Sequence, residues 1–315
     1  MILQTDNTIY HLLRALRPRQ WVKNASLFAA AMFSGRLFES DIFFRTVVAA
    51  IIFSALSSAT YLINDAIDAK KDALHPIKKN RPIPSGKLSR EVAILTAFIL
   101  IFFFIPTSLV AVNFHFFLIC VGYLLMQGTY SLWLRHVIII DALTVAMGFI
   151  LRVFAGGFAT SIPVSSWIIL ATIGLSLLLA FGKRRSERTI LTNLDISFKT
   201  RETLKHYPDS LLDSMISMSA SFTIISYSFF SFQAKSRPEL AIARFLPTTL
   251  SSPKWMMLTI PIVIYGVARY LYVIYEKKDA ESPERVLTSD LPLLASVMVW
   301  ALVALAIIYP LGTTI

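Results

Sequence analysis

Nine apolar runs divide the chain, near residues 21–38, 42–64, 90–111, 113–133, 137–158, 164–182, 211–233, 254–275 and 291–311. Each approaches the roughly 20 residues that carry an α-helix across about 30 Å of hydrocarbon. The pattern predicts an all-α polytopic membrane protein with about nine transmembrane helices. The 21–38 run is the weakest because Lys23 and Asn24 interrupt it, and the short gaps at Pro106–Asn113 and Gly156–Pro163 blur two further boundaries, so eight crossings are also compatible. No low-complexity stretch or shift of composition marks a second domain, and residues 1–315 read as a single membrane-embedded unit.

The polar residues between the runs add an orientation. With the N-terminus taken as cytoplasmic, 22 of the 30 lysines and arginines fall in inward segments and six in outward ones, while Arg152 and Arg269 lie inside runs. That bias predicts a cytoplasmic N-terminus and gathers every charge-dense cluster at one membrane face. Composition agrees with the pattern, since a chain 56% hydrophobic and 16% charged, with mean hydropathy +0.65, excludes a soluble domain. The net charge of +11 would point to nucleic acid in a soluble protein. Here positive-inside flanks and anionic lipids or substrates account for it, and no nucleic-acid partner is expected. Charged residues from Asp6 to Arg19 precede the first run, which predicts no removable signal peptide. The lone Cys120 allows neither an intrachain disulfide nor a cysteine metal site, and His75 and His136 lack the spacing of a zinc or haem pair. No Walker-type glycine loop or G-x-S-x-G elbow is present.

The chemistry concentrates in Asn64–Gly86, where the second run stops and acidic, then basic, residues crowd together. Asp65, Asp68 and Asp72 stand at i, i+3 and i+7, within roughly 60° of one another on a continued helix, and Asn64 joins that face. Carboxylates stacked in this way invite a divalent cation, and hard oxygen ligands suit Mg²⁺, which bridges carboxylates to substrate phosphates. Lys78, Lys79, Arg81 and Lys87 follow in a loop broken by proline and glycine, ready for the same anion. The competing reading is a solvated, charge-rich loop with no ligand.

Four further groups carry polar chemistry at or inside the apolar boundary. Lys183, Arg184, Arg185 and Arg188, with Glu187, close the sixth run; they form either a positive-inside flank or a phosphate clamp facing the aspartates. Lys23 and Asn24 sit where polar groups are costly unless they face a cavity, although Arg17–Asn24 also reads as an interfacial anchor. Asp141 and Arg152 recur after eleven residues on one face of the fifth run, and Arg269 with Tyr270 raises the same argument in the eighth; the alternative is a structural ion pair with another helix. Tyr123, Gln127 and Tyr130 form a stripe that either lines a cavity or joins helices. Ser282 and Pro283 predict the start of a short helix.

Asn64-Asp65-x-x-Asp68-x-x-x-Asp72 resembles the first aspartate-rich motif of the UbiA-type intramembrane prenyltransferase superfamily. The likeness extends over most of the chain, through Arg17–Asn24, His75-Pro76 with Lys79-x-Arg81, Arg152-x-x-Ala155-Gly156-Gly157, Gly182-Lys183-Arg184 with Glu187, and Glu281–Glu284. Together these look most like its decaprenyl-phosphate phosphoribosyltransferase branch. Where other members carry a second aspartate-rich motif, Gly182–Glu187 stands instead, which puts a second carboxylate metal site in doubt and fits substrates with more phosphate. The resemblance implies a UbiA-like bundle, Mg²⁺ at Asn64, Asp65, Asp68 and Asp72, and transfer of 5-phosphoribose from phosphoribosyl pyrophosphate to a polyprenyl phosphate. Lys23, Lys79, Arg81, Tyr130, Arg152, Lys183, Arg184, Glu187 and Arg269 are the substrate-binding residues expected. It also implies a bacterial inner membrane with the active site facing the cytoplasm, in contact with membrane lipid; a homo-oligomer is left open. One alternative is transfer of an isoprenoid from its diphosphate to an aromatic or tetrapyrrole acceptor. The other is an anion or lipid transporter, against which stands the concentration of charge on one face.

Overall fold

The computed structural model describes residues 2–74, 78–193, 204, 206–234, 254–277 and 283–309. Its α-helices are α1 Ile2–Ala15, α2 Ala29–Phe33, α3 Ser40–Asp72, α4 Arg90–Ala111, α5 Phe114–Leu132, α6 Ile140–Thr160, α7 Ser166–Asn193, α8 Asp209–Gln233, α9 Ile260–Tyr272, α10 Pro283–Ser289 and α11 Leu291–Ile308. Among the described residues eight helical segments are long and apolar enough to cross a membrane: α3 to α8, Trp255–Glu276 around α9, and α11. The chain is an integral membrane protein.

The first apolar run differs from the expected uniform helix. A 3-10 stretch, Pro18–Phe28, leads into the five residues of α2. Three residues per turn set Trp21, Asn24 and Leu27 in one line. Trp21 Nε1 donates to Ser58 Oγ at 3.0 Å and Asn24 Nδ2 to Ser54 Oγ at 2.7 Å, so two rungs of the line meet α3. Leu27, fully buried, packs against α6, where a Cβ on Gly156 would stand 1.8 Å from the Leu27 carbonyl oxygen. Only glycine admits that approach.

The two blurred boundaries have distinct local causes. Helix α4 continues through Pro106 to Ala111, and Asn113 then caps α5 by accepting from the Phe116 amide at 2.8 Å. Helix α6 ends because Ser161 adopts the left-handed region at φ 56°, ψ 30°. Within the helices, buried hydroxyls return to the preceding turn, as Ser57 does to Phe53 O and Thr223 to Ser219 O, so they need no partner from lipid. The helix α10 begins at Pro283, whereas Ser282, Glu281, His75 and Pro76 lie outside the described residues.

Length positions the chemistry. At 1.5 Å per residue, the 33 residues of α3 extend about 50 Å and the 28 of α7 about 42 Å, both well beyond the hydrocarbon thickness. Their last turns carry Asn64–Asp72 and Gly182–Arg188 respectively. The two overlong helices therefore bring the acidic and basic motifs past the apolar layer together.

Candidate active site

A cavity of about 390 Å³ opens between these helix ends. Asn64, Asp65, Asp68 and Asp72 of α3 line it, and Lys183 and Arg184 of α7 face into the same space. Helix α5 contributes Tyr123, Gln127 and Tyr130, the stripe noted in its sequence. Lys23 enters from the 3-10 stretch, Lys78 and Arg81 from the connection after α3, and Arg152 from α6. Nine arginines and lysines line the cavity against three aspartates.

Each aspartate meets an arginine brought from a different segment. Arg17 Nη2 donates to Asp65 Oδ1 at 2.5 Å, and Arg81 Nη1 donates to the same oxygen at 3.0 Å. Arg81 Nη1 also reaches Asp72 Oδ2 at 2.7 Å, bridging two carboxylates seven residues apart. Arg135 Nη1 donates to Asp68 Oδ2 at 2.5 Å, and Ser131 Oγ donates to Asn64 Oδ1. Arg17 adopts the left-handed region at φ 56°, ψ 60° directly before Pro18, and its guanidinium lies 5.1 Å from the Tyr61 ring centroid. Burial alone would lower the Arg17 pKa, but the charge of Asp65 and its hydrogen bond outweigh it and hold the pKa above the ordinary value.

The donor set of four oxygen-bearing side chains on one helix face has the chemistry a Mg²⁺-class cation takes. The arginines satisfy those carboxylates in the structure, and among the described residues no group of three or more His, Cys, Asp or Glu side chains stands in metal-holding geometry. A cation would take the oxygens by replacing arginine contacts, which frees the guanidiniums for phosphate.

Deeper in the cavity Arg152 is 5% exposed. Its hydrogen bonds go to neutral oxygens: Nε to Asn24 Oδ1 at 2.8 Å, Nη1 to Gly148 O at 2.8 Å and Nη2 to the Tyr123 hydroxyl at 3.2 Å. The rings of Tyr123, Phe53 and Phe149 surround the guanidinium at 5.2, 5.4 and 5.7 Å. A cation held by neutral groups retains its full charge for an anionic ligand.

The basic motif of α7 divides its work. Arg184, 2% exposed, forms ion pairs with Asp141 at 2.8 Å and Glu187 at 2.7 Å. The Asp141 pair joins Arg184 to the start of α6. Arg185 meets Asp213 at 2.9 Å and Arg188 meets Asp209 at 2.6 Å, tying α7 to the start of α8. Lys183 and Arg184 are thus the members of the motif directed at the cavity.

Three sequence-predicted residues stand outside the lining. Lys79 is exposed, Glu187 is buried behind Arg184, and Arg269 donates twice to Asp290, at 3.0 Å each, from α9. Asp290 also caps α11 by accepting from the Leu293 amide, so the Arg269 pair anchors helix ends. Conversely, Arg17 and Arg135 contact the aspartates, although their sequence positions read as an interfacial anchor and an ordinary inward charge. The signal for Arg135 is slight: a single arginine in a short gap between apolar runs.

The sequence profile of the UbiA prenyltransferase family matches residues 25–185, half of the chain, taking in the acidic motif and the start of the basic one. The chain belongs to the UbiA prenyltransferase family. Among curated UbiA-type relatives, decaprenyl-phosphate phosphoribosyltransferase of Corynebacterium glutamicum is 31% identical over 95% of this chain and 86% of that protein. The protein of the same name from Mycolicibacterium smegmatis is 29% identical over 93% of this chain and 91% of its own length. A solved UbiA homologue from Archaeoglobus fulgidus, bound to DMAPP and Mg²⁺, superimposes with a TM-score of 0.68 at 20% identity, covering 95% of this chain and 99% of that one. At that identity the superposition establishes the UbiA bundle itself.

Proposed function

We propose that the protein transfers 5-phosphoribose from phosphoribosyl pyrophosphate to a polyprenyl phosphate, releasing pyrophosphate at the cytoplasmic face. One observation carries the reading: the cavity lining sets nine cationic side chains against three carboxylates, and cations still prevail when Asp141 and Glu187, which pair with Arg184 behind the lining, are added. A single metal-bound diphosphate would leave much of that charge unmatched, whereas a donor with a pyrophosphate and a 5-phosphate, joined by an acceptor phosphate, matches it. The names of the two relatives support the same substrates.

In this reading Asp65, Asp68 and Asp72, with Asn64, hold Mg²⁺, as the chemistry of the donor set favours and as the Mg²⁺-bound fold relative supports. When bound, the metal supplies charge neutralisation for the leaving pyrophosphate. Arg17, Arg81 and Arg135 stand beside the carboxylates and take pyrophosphate oxygens. Lys183 and Arg184 hold a second donor phosphate from α7. Lys23 and Arg152 hold the acceptor phosphate, with Tyr130 in the same lining. An oxygen of that phosphate forms the bond to ribose C1 as the C1–pyrophosphate bond breaks and positive charge grows on the ring. The acceptor is already ionised, so no strong general base is required.

The test is incubation of detergent-purified protein with polyprenyl phosphate, labelled phosphoribosyl pyrophosphate and Mg²⁺, followed by lipid extraction. Labelled lipid that disappears on chelation of the metal is the expected result. No labelled lipid, together with prenylation of an aromatic acid from an isoprenoid diphosphate, would overturn the proposal.

A further inference from the structure

Helix α6 starts in strained backbone. Ile139 has φ 70° and ψ −47°, a conformation β-branched residues rarely adopt, and the Ile140 amide bonds back to Ile138 O at 2.8 Å, closing a three-residue γ-turn. Such strain persists only where surrounding groups hold it. Besides backbone bonds of the turn, the side chain that holds it is Tyr207, fully buried just before α8. Its hydroxyl accepts from the Ile139 amide at 2.6 Å and donates to Asp141 Oδ1 at 2.5 Å. The other oxygen of Asp141 faces Arg184 Nε at 2.8 Å, and Arg184 faces the cavity. On the other side of the same connection, Arg135 reaches Asp68. One phenol therefore fixes the turn whose two flanks lead to the aspartate row and to the α7 cations.

We propose that Tyr207 is a positioning residue for phosphate binding, acting through Asp141 on Arg184 and through the Ile139 turn on Arg135. The inference rests on the phosphate-handling role proposed above for that cavity. Tyr207 never touches the ligand; it sets the direction of guanidiniums that do. Burial, then Asp141, push the phenol pKa above its ordinary value, in keeping with a hydroxyl that stays protonated as a donor.

Calorimetry on the full chain in detergent with Mg²⁺ tests this, titrating phosphoribosyl pyrophosphate and, separately, inorganic pyrophosphate. Tyr227 supplies the control, because it is equally a buried, hydrogen-bonded tyrosine but its hydroxyl meets Thr259 and Trp300 outside the cavity lining. Tyr207→Phe, which loses the hydrogen bonds to the Ile139 amide and to the Asp141 carboxylate, is expected to weaken binding about tenfold, and Tyr227→Phe less than about twofold at a comparable fall in melting temperature. Asp141→Asn should weaken binding to a similar degree, and the double variant with Tyr207→Phe should be no worse than either single change. Unchanged affinity in Tyr207→Phe, or equal losses in Tyr207→Phe and Tyr227→Phe, overturns the proposal. If Tyr207→Phe does not fold, unchanged affinity in Asp141→Asn does the same. Wild-type protein that takes inorganic pyrophosphate but not phosphoribosyl pyrophosphate overturns the donor assignment while leaving the positioning test readable; binding of neither overturns both.

Discussion

Asp65 Oδ1 accepts from two guanidiniums, while among the described residues Asp68 pairs with Arg135 alone and has a side chain 23% exposed. The two carboxylates therefore differ in what they hold together. Asp68→Ala is expected to reduce turnover at least about a hundredfold with little change in melting temperature. Asp65→Ala should lose turnover equally and cost about 2 kcal/mol of stability as well, because Arg17 and Arg81 are left facing each other without their shared acceptor. Full activity in either variant, measured beside a thermal melt in detergent, would remove the metal-binding assignment. The aspartate row was readable from sequence because its members lie within two turns of one helix. Arg81, 16 residues on in the same motif, was readable with them, whereas Arg17 and Arg135 were not, because they arrive from 48 and 67 residues away. Arg269 illustrates the converse: an ionisable residue in an apolar run is a fair candidate for a cavity, yet Asp290, 21 residues on, holds it by two hydrogen bonds.

The long helices were legible as apolar runs, for hydrocarbon thickness imposes a length that composition reveals. The 3-10 stretch was not, since its cause lies in neighbours: Ser54 and Ser58 on α3 and Gly156 on α6 meet a line of side chains that recurs every three residues. Gly156→Ala should accordingly destabilise the protein by on the order of 3 kcal/mol, since the added methyl meets backbone rather than a movable side chain. The change should also lower activity at temperatures where the protein remains folded, because Asn24 on that stretch accepts from Arg152. A melting temperature equal to wild type would show that the stretch can move away from α6 without penalty.

At the scale of the molecule, both charge motifs occupy ends of overlong helices and share one cavity, which accords with their expected presence on one membrane face. The proposed cytoplasmic orientation predicts that, in a Cys120→Ala background, Lys87→Cys in intact cells resists a membrane-impermeant thiol reagent while Arg45→Cys reacts. The reverse pattern would invert the topology and move the chemistry to the other compartment. Sequence charge bias carries this expectation because it samples all 30 cations at once, whereas the pairing inside the cavity depends on tertiary geometry that no local window contains.

The surplus of six cationic over acidic side chains in that cavity has a kinetic side. The field that gathers a polyanionic donor also retains the pyrophosphate it leaves behind, so in the proposed reaction departure of product competes with bond-making for control of the cycle. Screening by salt then acts in opposite directions on the two halves of catalysis: capture slows as the attraction weakens, while each completed turnover clears the site sooner.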